Sequence, residues 1–207
     1  MSSRDHILAR VRRNEPAWRD LPEIPSFERP LADPWAAFAA ALARMGGSVA
    51  APPEGTALDA FVRARFPQAQ VICSATAEVT GTRSISTVRH PGELDDVDVG
   101  VVRAVFGVAE TGSVWLSERE FGVNALGFLS QHLVVLLDPS AIVPDLHHAY
   151  RHPGFFEARY AVFMTGPSAT ADIEGVLVRG AQGIRTLTVV PAAAADAGGA
   201  IQPGRTA

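Results

Sequence analysis

Blocks of apolar residues along this chain predict strands that alternate with helices. The apolar run over residues 133–137 is typical of a parallel strand that is buried on both faces. Residues 2–13 instead place Ile7, Leu8 and Val11 on one face of an amphipathic helix. Further strands are predicted near residue 49 and over residues 71–73, 99–102, 114–116, 160–164, 176–178 and 186–190. Further helices are predicted from Asp33-Pro34 to Gly46-Gly47 and over residues 56–66, 143–150 and 168–174. This order predicts an α/β fold in which a mainly parallel sheet is flanked by helices.

Prolines and small residues divide the chain into three parts. Residues 1–34 are predicted to form the first helix and a proline-rich arm, because dense prolines forbid a continuous helix. Trp18, Ile24 and Phe27 make this arm apolar enough to anchor on its own domain or on a second protomer, so a homodimer is one expectation. Residues 35–191 are predicted to form the α/β domain. Residues 192–207 are rich in Ala, Gly and Pro and are predicted to be a disordered tail.

Composition and charge exclude several classes of function. The chain has 207 residues and a net charge of −4, which argues against a general nucleic-acid binder. No apolar run reaches membrane-spanning length and the N-terminus lacks a signal-peptide core, so the cytoplasm is the expected compartment. Cys73 is the only cysteine, which excludes an internal disulfide and an iron–sulfur cluster held by this chain alone. No dinucleotide-binding glycine fingerprint follows a strand, so no cofactor is predicted in this chain.

Residues 165–174 combine a glycine turn with a predicted helix start. Pro167 suits the first position of a helix, and the unpaired N–H groups and dipole of a helix N-terminus favour a phosphate or a carboxylate. The alternative is a plain strand-to-helix turn in which Ser and Thr serve as caps. The predicted ligand-binding residues of this turn are Thr165, Gly166, Pro167, Ser168, Thr170, Asp172 and Glu174.

A second turn, Glu110-Thr111-Gly112-Ser113, places a carboxylate, two hydroxyls and a glycine directly before an apolar strand. Gly112 allows a positive φ or a close approach of the backbone. We predict Glu110 as a catalytic base or nucleophile, and Thr111, Gly112 and Ser113 as ligand-binding residues. The alternative is a β-turn with an exposed glutamate. Both glycine turns lie at the ends of predicted strands, where open α/β sheets bind ligands.

Histidines supply one further candidate. His132 begins the strand that continues over residues 133–137, and it is the second predicted catalytic residue, although a lone histidine there is more often structural. His147, His148 and His152 are close in sequence, but their spacing is not one used by metal ligands, so no metal site is predicted.

Four motifs together resemble the LUD domain family, and within it the lactate-utilisation proteins. In chain order they cover residues 109–113, 132–135, 142–144 and 165–174, and the N-terminal helix is also similar. The resemblance implies a fold like that of the NagB/RpiA/CoA-transferase group. It also implies a role in oxidising L-lactate to pyruvate, alongside partner subunits that carry iron–sulfur clusters.

Two functions are therefore expected from the sequence. The first is a cluster-free subunit of a lactate-oxidising system, with a pocket for a small anion. The second is a free-standing enzyme or binding protein for a sugar-phosphate or acyl-CoA ligand, by analogy with the fold group alone.

Overall fold

The computed structural model of the chain describes residues 2–25, 30–172 and 174–193. Within these residues the helices are α1 Ser3–Arg13, α2 Pro34–Arg44, α3 Leu58–Arg65, α4 Glu118–Phe121, α5 Leu126–Leu129, α6 Leu146–Tyr150 and α7 Gly154–Glu157. The strands are β1 Ser48–Val49, β2 Ile72–Ser74, β3 Arg83–Ser84, β4 Val99–Arg103, β5 Phe106–Val108, β6 Ser113–Ser117, β7 His132–Leu137, β8 Ile142–Val143, β9 Ala161–Met164, β10 Ala169–Thr170, β11 Val178–Arg179 and β12 Thr186–Pro191. Most of the predicted disordered tail, from residue 194 onward, lies outside the described residues.

A parallel sheet with the strand order β1-β12-β7-β4-β2-β3 forms the centre of the fold. Strand β7 lies between β12 and β4, and its residue Val134 is paired with Thr188 and Val101. Side chains of β7 alternate between two cores: Val134 packs with Val62 of α3, and Val135 packs in the cluster that includes α2. Since both faces are covered, the strand is apolar along nearly its whole length. The predicted α/β class with a mainly parallel sheet is confirmed.

A second, mixed sheet with the order β8-β5-β6-β9 follows the carboxyl ends of β4 and β7 along the chain. The two faces of this sheet pack in different cores. Val114 belongs to the cluster that includes residues of α2, and Trp115 belongs to a separate aromatic cluster. Residues of α6 and α7, among them Ala149 and Phe155, complete that aromatic cluster. The mixed sheet therefore brings the loops after β5 and β9 next to each other.

Helix α2 has the predicted boundaries for the predicted reasons. The Asp33 side chain accepts a hydrogen bond from the N–H of Ala36 at 2.9 Å, and Pro34 occupies the first turn. Phe38 and Leu42 are fully buried, and Gly46 ends the helix with a φ of +90°. This helix is the surface on which both glycine turns pack.

The predicted helix over residues 168–174 is wrong. Ala169 and Thr170 instead form β10, which pairs antiparallel with β11. The Thr170 hydroxyl donates to the Asp172 carboxylate at 3.0 Å, a local hydrogen bond that competes with helix formation. The predicted strand over residues 176–178 is correspondingly displaced to β11.

The N-terminal helix is confirmed, but it does not pack on the domain. Ser2 and Asp5 form a reciprocal capping box at its start, and no residue of α1 is buried. Trp18 and Ile24 of the arm are 87% and 64% exposed, so the expected anchoring on its own domain does not occur in the described residues. Phe27 lies outside the described residues.

Candidate functional site

The turn after β5 packs its backbone directly against helix α2. Gly112 has a φ of +69°, and its N–H donates to the carbonyl of Val108 at 2.9 Å. A Cβ atom at Gly112 would lie only 2.1 Å from the backbone nitrogen of Leu42. The glycine is therefore required for close packing of two backbones, not only for the turn.

The turn after β9 packs against the end of the same helix. Gly166 has a φ of +76°, and a Cβ atom there would lie 2.7 Å from the carbonyl oxygen of Met45. Since β6 pairs with β9 through Val114 and Met164, the two predicted turns are neighbours. The sequence placed both turns at strand ends, and the structure brings them together.

Hydroxyl groups from both turns form one hydrogen-bonded chain, which we name the hydroxyl cluster: Thr111, Ser113 and Thr165. The Oγ1 of Thr111 lies 2.7 Å from the Oγ of Ser113, which is also hydrogen-bonded to the Oγ1 of Thr165. Ser113 is buried, whereas Thr111 and Thr165 are half-buried. Each hydroxyl can donate one hydrogen bond and accept others, so the two outer groups can bind an oxygen-rich ligand.

The remaining predicted ligand-binding residues of the turn after β9 lie on or beside the β10–β11 hairpin. The carbonyl of exposed Ser168 accepts a hydrogen bond from the N–H of Gly180 at 2.7 Å. Thr170 and Asp172 bond to each other, and exposed Glu174 has a φ of +54°. Because no helix follows buried Pro167, the anion site predicted from a helix N-terminus is not formed there.

Glu110 directly precedes Thr111 of the hydroxyl cluster in the chain and lies beside the start of α6. Its carboxylate is exposed and accepts a hydrogen bond from the N–H of Leu146 at 3.2 Å. Its own N–H donates to the carbonyl of Pro144 at 3.0 Å. One carboxylate oxygen thus satisfies a helix N–H, while the group remains accessible to solvent.

A carboxylate–imidazole pair, Asp145 and His148, stands at the same helix start. One Asp145 carboxylate oxygen lies 2.8 Å from the Nδ1 of His148 and 2.9 Å from its backbone nitrogen. Burial raises the pKa of Asp145, but the hydrogen bonds from the side chain and backbone of His148 outweigh it, so the net pKa is lowered. Asp145 therefore stays ionised and orients the His148 ring. Sequence reasoning missed this pair, although the Asp-x-x-His spacing at a helix start was a usable signal.

His132 does not join this group. It lies at the amino-terminal end of β7. Glu110 follows β5, and β5 pairs with β8, which comes after the carboxyl end of β7. The Nδ1 of His132 lies 2.8 Å from the Oγ1 of Thr186, and the ring stacks on Phe66 with a centroid distance of 4.9 Å. Burial, followed by the nearby Arg185 charge, lowers the pKa of His132. These contacts support a structural role at the amino-terminal edge of the parallel sheet.

The lowered pKa of His132 predicts a pH-dependent loss of stability. The unfolded chain takes up a proton near the ordinary histidine pKa of about 6.5, before the folded chain does, so acid favours unfolding. His132→Gln should therefore lose less stability than the wild type as pH falls from 8 to 5, measured by urea unfolding at each pH. His6→Gln, on exposed α1, is the control. An unchanged pH dependence in His132→Gln would show that protonation of His132 does not destabilise the folded chain.

Two negative findings apply to the part of the chain that the structure describes. No group of three or more His, Cys, Asp or Glu side chains is arranged to hold a metal ion. No helix there has the length and apolar character needed to cross a membrane.

A protein-family comparison decides the relationship. The model of the LUD domain matches residues 91–190, which include both predicted turns, His132 and the Asp145–His148 pair. Nearly half of the chain is therefore similar to the LUD domain family. The resemblance found in the sequence motifs is thereby confirmed.

Two individual proteins are also similar to this chain. Lactate utilization protein C of Geobacillus kaustophilus (strain HTA426) is 28% identical over 132 residues, which cover 61% of this chain and 52% of that protein. The match thus spans about half the length of this curated relative. The crystal structure of a DUF162 family protein from Deinococcus radiodurans is similar with a TM-score of 0.62 at 17% identity, covering 78% of this chain and 99% of that one. At this identity the structural likeness supports the fold alone.

Proposed function

We propose that this chain is a subunit of a lactate-utilisation system that oxidises L-lactate to pyruvate, and that it binds the small carboxylate itself. The match of residues 91–190 to the LUD domain and the similarity to a lactate utilization protein C support the pathway. The electrons released by oxidation leave through partner subunits with iron–sulfur clusters. A single cysteine, Cys73, cannot ligate such a cluster, and burial raises the pKa of this thiol to about 11.

The observation that carries the proposal is the hydroxyl cluster, in which residues from both glycine turns share hydrogen bonds. Thr111 and Thr165 can donate hydrogen bonds to a carboxylate. Exposed Glu110 can accept the hydrogen of a 2-hydroxyl group, and so orient the ligand or take its proton. A 2-hydroxy carboxylate matches both features, because it offers acceptors at one end and a hydroxyl donor beside them.

His148 supplies a second basic group near Glu110. The Asp145 carboxylate contacts the Nδ1 of this ring and so fixes the orientation of the imidazole at the start of α6. His132 takes no part in this site, because it lies at the opposite edge of the parallel sheet.

Purification of the tagged full chain from its native host, grown on L-lactate, tests the subunit role. We expect proteins with stoichiometric iron and acid-labile sulfide to co-purify, and the isolated chain to be colourless. The role is contradicted if the chain purifies alone under these conditions and by itself converts a sugar phosphate or an acyl-CoA. That outcome would support the free-standing enzyme expected as the alternative.

A further inference from the structure

A cleft of about 340 Å³ lies between β6, α4 and α7, and it shares no residue with the hydroxyl cluster. Trp115 and His152 form its aromatic wall, and Val105, Pro153 and Ala158 supply its apolar lining. Arg119 of α4 and Glu157 of α7 line the cleft as well. The lining therefore combines apolar and charged groups, and the volume falls within the usual range of small-molecule sites, roughly 300–1,000 Å³.

Trp115 carries a hydrogen-bond donor that is not used within the described residues. The side chain is buried, with an exposed fraction of 2%, and its indole Nε1 has no hydrogen-bond partner there. Buried indole N–H groups almost always have an acceptor, because an unpaired buried donor is costly. The nitrogen has almost no accessible surface, so a ligand acceptor reaches it through a small movement of the cleft wall.

His152 offers a second donor on the same wall. Its Nδ1 accepts a hydrogen bond from the N–H of Gly154 at 3.2 Å, so in the neutral ring the hydrogen is on Nε2. Contact with Phe106, at a centroid distance of 4.7 Å, holds the ring in place. The tautomer that the protein selects is therefore the one that leaves Nε2 as a donor.

Arg119 supplies a charge whose present partner is easily replaced. One guanidinium nitrogen lies 3.2 Å from the Glu157 carboxylate, and the two side chains are 62% and 60% exposed. Exposed ion pairs of this kind contribute little to stability. By contrast, the carboxylate of Glu120 is held by the N–H of Ser117 at 2.7 Å and by its hydroxyl at 2.6 Å. A ligand carboxylate can thus take the place of Glu157 on Arg119 without disturbing Glu120.

We propose that this cleft binds a monocarboxylate with a compact apolar body. The carboxylate is bound by Arg119 and by the N–H donors of Trp115 and His152, and the apolar body packs on Val105 and Pro153. Carboxylates suit such a site because hydrogen bonds from an arginine to a charged acceptor are the strong ones. This inference does not rest on the proposed lactate site, since the two use different residues.

Benzoate is a suitable probe, and the indole N–H signals in ¹H–¹⁵N NMR spectra report on the cleft directly. The chain has three tryptophans, and Trp115→Phe assigns the signal, or Trp18→Phe and Trp35→Phe do so by elimination if that variant does not fold. We expect benzoate to shift the Trp115 signal with saturation. Benzamide, the neutral analogue, should shift it more weakly.

Variants that remove one charge from the cleft then test whether benzoate binds there specifically. Arg119→Gln should weaken benzoate binding about tenfold or more, and Glu157→Gln should strengthen it because a competing carboxylate is removed. Arg89→Gln, an exposed arginine outside the cleft, should leave the affinity unchanged. Thr165→Val should also leave benzoate binding unchanged while affecting L-lactate, so failures of the two sites are distinguishable. A Trp115 signal that benzoate does not move, or equal affinities for the wild type and Arg119→Gln, would overturn the proposal.

Discussion

We expect Gly112→Ala to destabilise the folded chain by roughly 3–5 kcal/mol. Two causes add at this position: a φ of +69° that L-residues rarely adopt, and a Cβ atom 2.1 Å from the Leu42 nitrogen. The atoms in the way belong to the backbone of a helix, so no change of rotamer relieves the overlap. Helix α2 and the turn must move apart, which opens the core around fully buried Leu42. Urea unfolding followed by far-UV circular dichroism measures the change.

Gly55→Ala separates these two causes. Gly55 has a similar φ of +77°, but a Cβ atom there would have nothing within 4 Å. The substitution should therefore carry only the backbone penalty, about 1–2 kcal/mol. Equal losses in Gly55→Ala and Gly112→Ala would mean that close packing of the turn on α2 is not what Gly112 provides.

We expect Glu110→Gln to reduce lactate-dependent electron transfer in the reconstituted system by about a hundredfold or more, the usual effect of losing a general base. The amide oxygen of Gln can still accept the hydrogen bond from the N–H of Leu146. The free energy of unfolding should therefore change by no more than about 0.5 kcal/mol. The rate is measured with L-lactate and an artificial electron acceptor, and stability by urea unfolding.

Glu54→Gln is the matched control for Glu110→Gln, because Glu54 is an exposed glutamate in the loop before α3. It should preserve both the rate and the stability. Full activity per folded molecule in Glu110→Gln, together with a marked loss of stability, would assign Glu110 a structural role at the start of α6.

Local patterns in the sequence were sufficient for most elements of the fold. Strand β7 was predicted from its continuous apolar run, since a strand buried on both faces has few polar positions. The start of α2 was predicted from Asp33-Pro34, because a cap and a first-turn proline are decided by neighbouring residues. Such features depend on contacts within a few residues and can be seen in one sequence.

The errors arose where distant residues decide the structure. Pro167 was consistent with a helix start, but β10 forms because Ala169 pairs with Arg179, which local propensity does not reveal. The packing of Gly112 on Leu42 likewise joins distant parts of the chain. Glycine at a strand end predicted a close approach, but the approaching group is a helix of the same chain.

The candidate site was predicted only in part, because it also depends on contacts between distant residues. Thr111, Ser113 and Thr165 were each named, and their meeting depended on the register of β6 against β9. The pair of Asp145 and His148 was not predicted, because it depends on how the two side chains are oriented at the start of α6. The three neighbouring histidines were considered only as metal ligands.

Calorimetric titration of L-lactate onto the purified full chain tests the central claim most directly. The account predicts saturable binding of L-lactate, which Thr165→Val weakens at least tenfold because it removes one hydroxyl of the cluster while keeping the side-chain shape. Thr80→Val, at an exposed threonine after β2, should bind L-lactate as the wild type does. Absence of binding to the folded wild type, or equal affinities in all three proteins, would contradict a carboxylate site at the hydroxyl cluster.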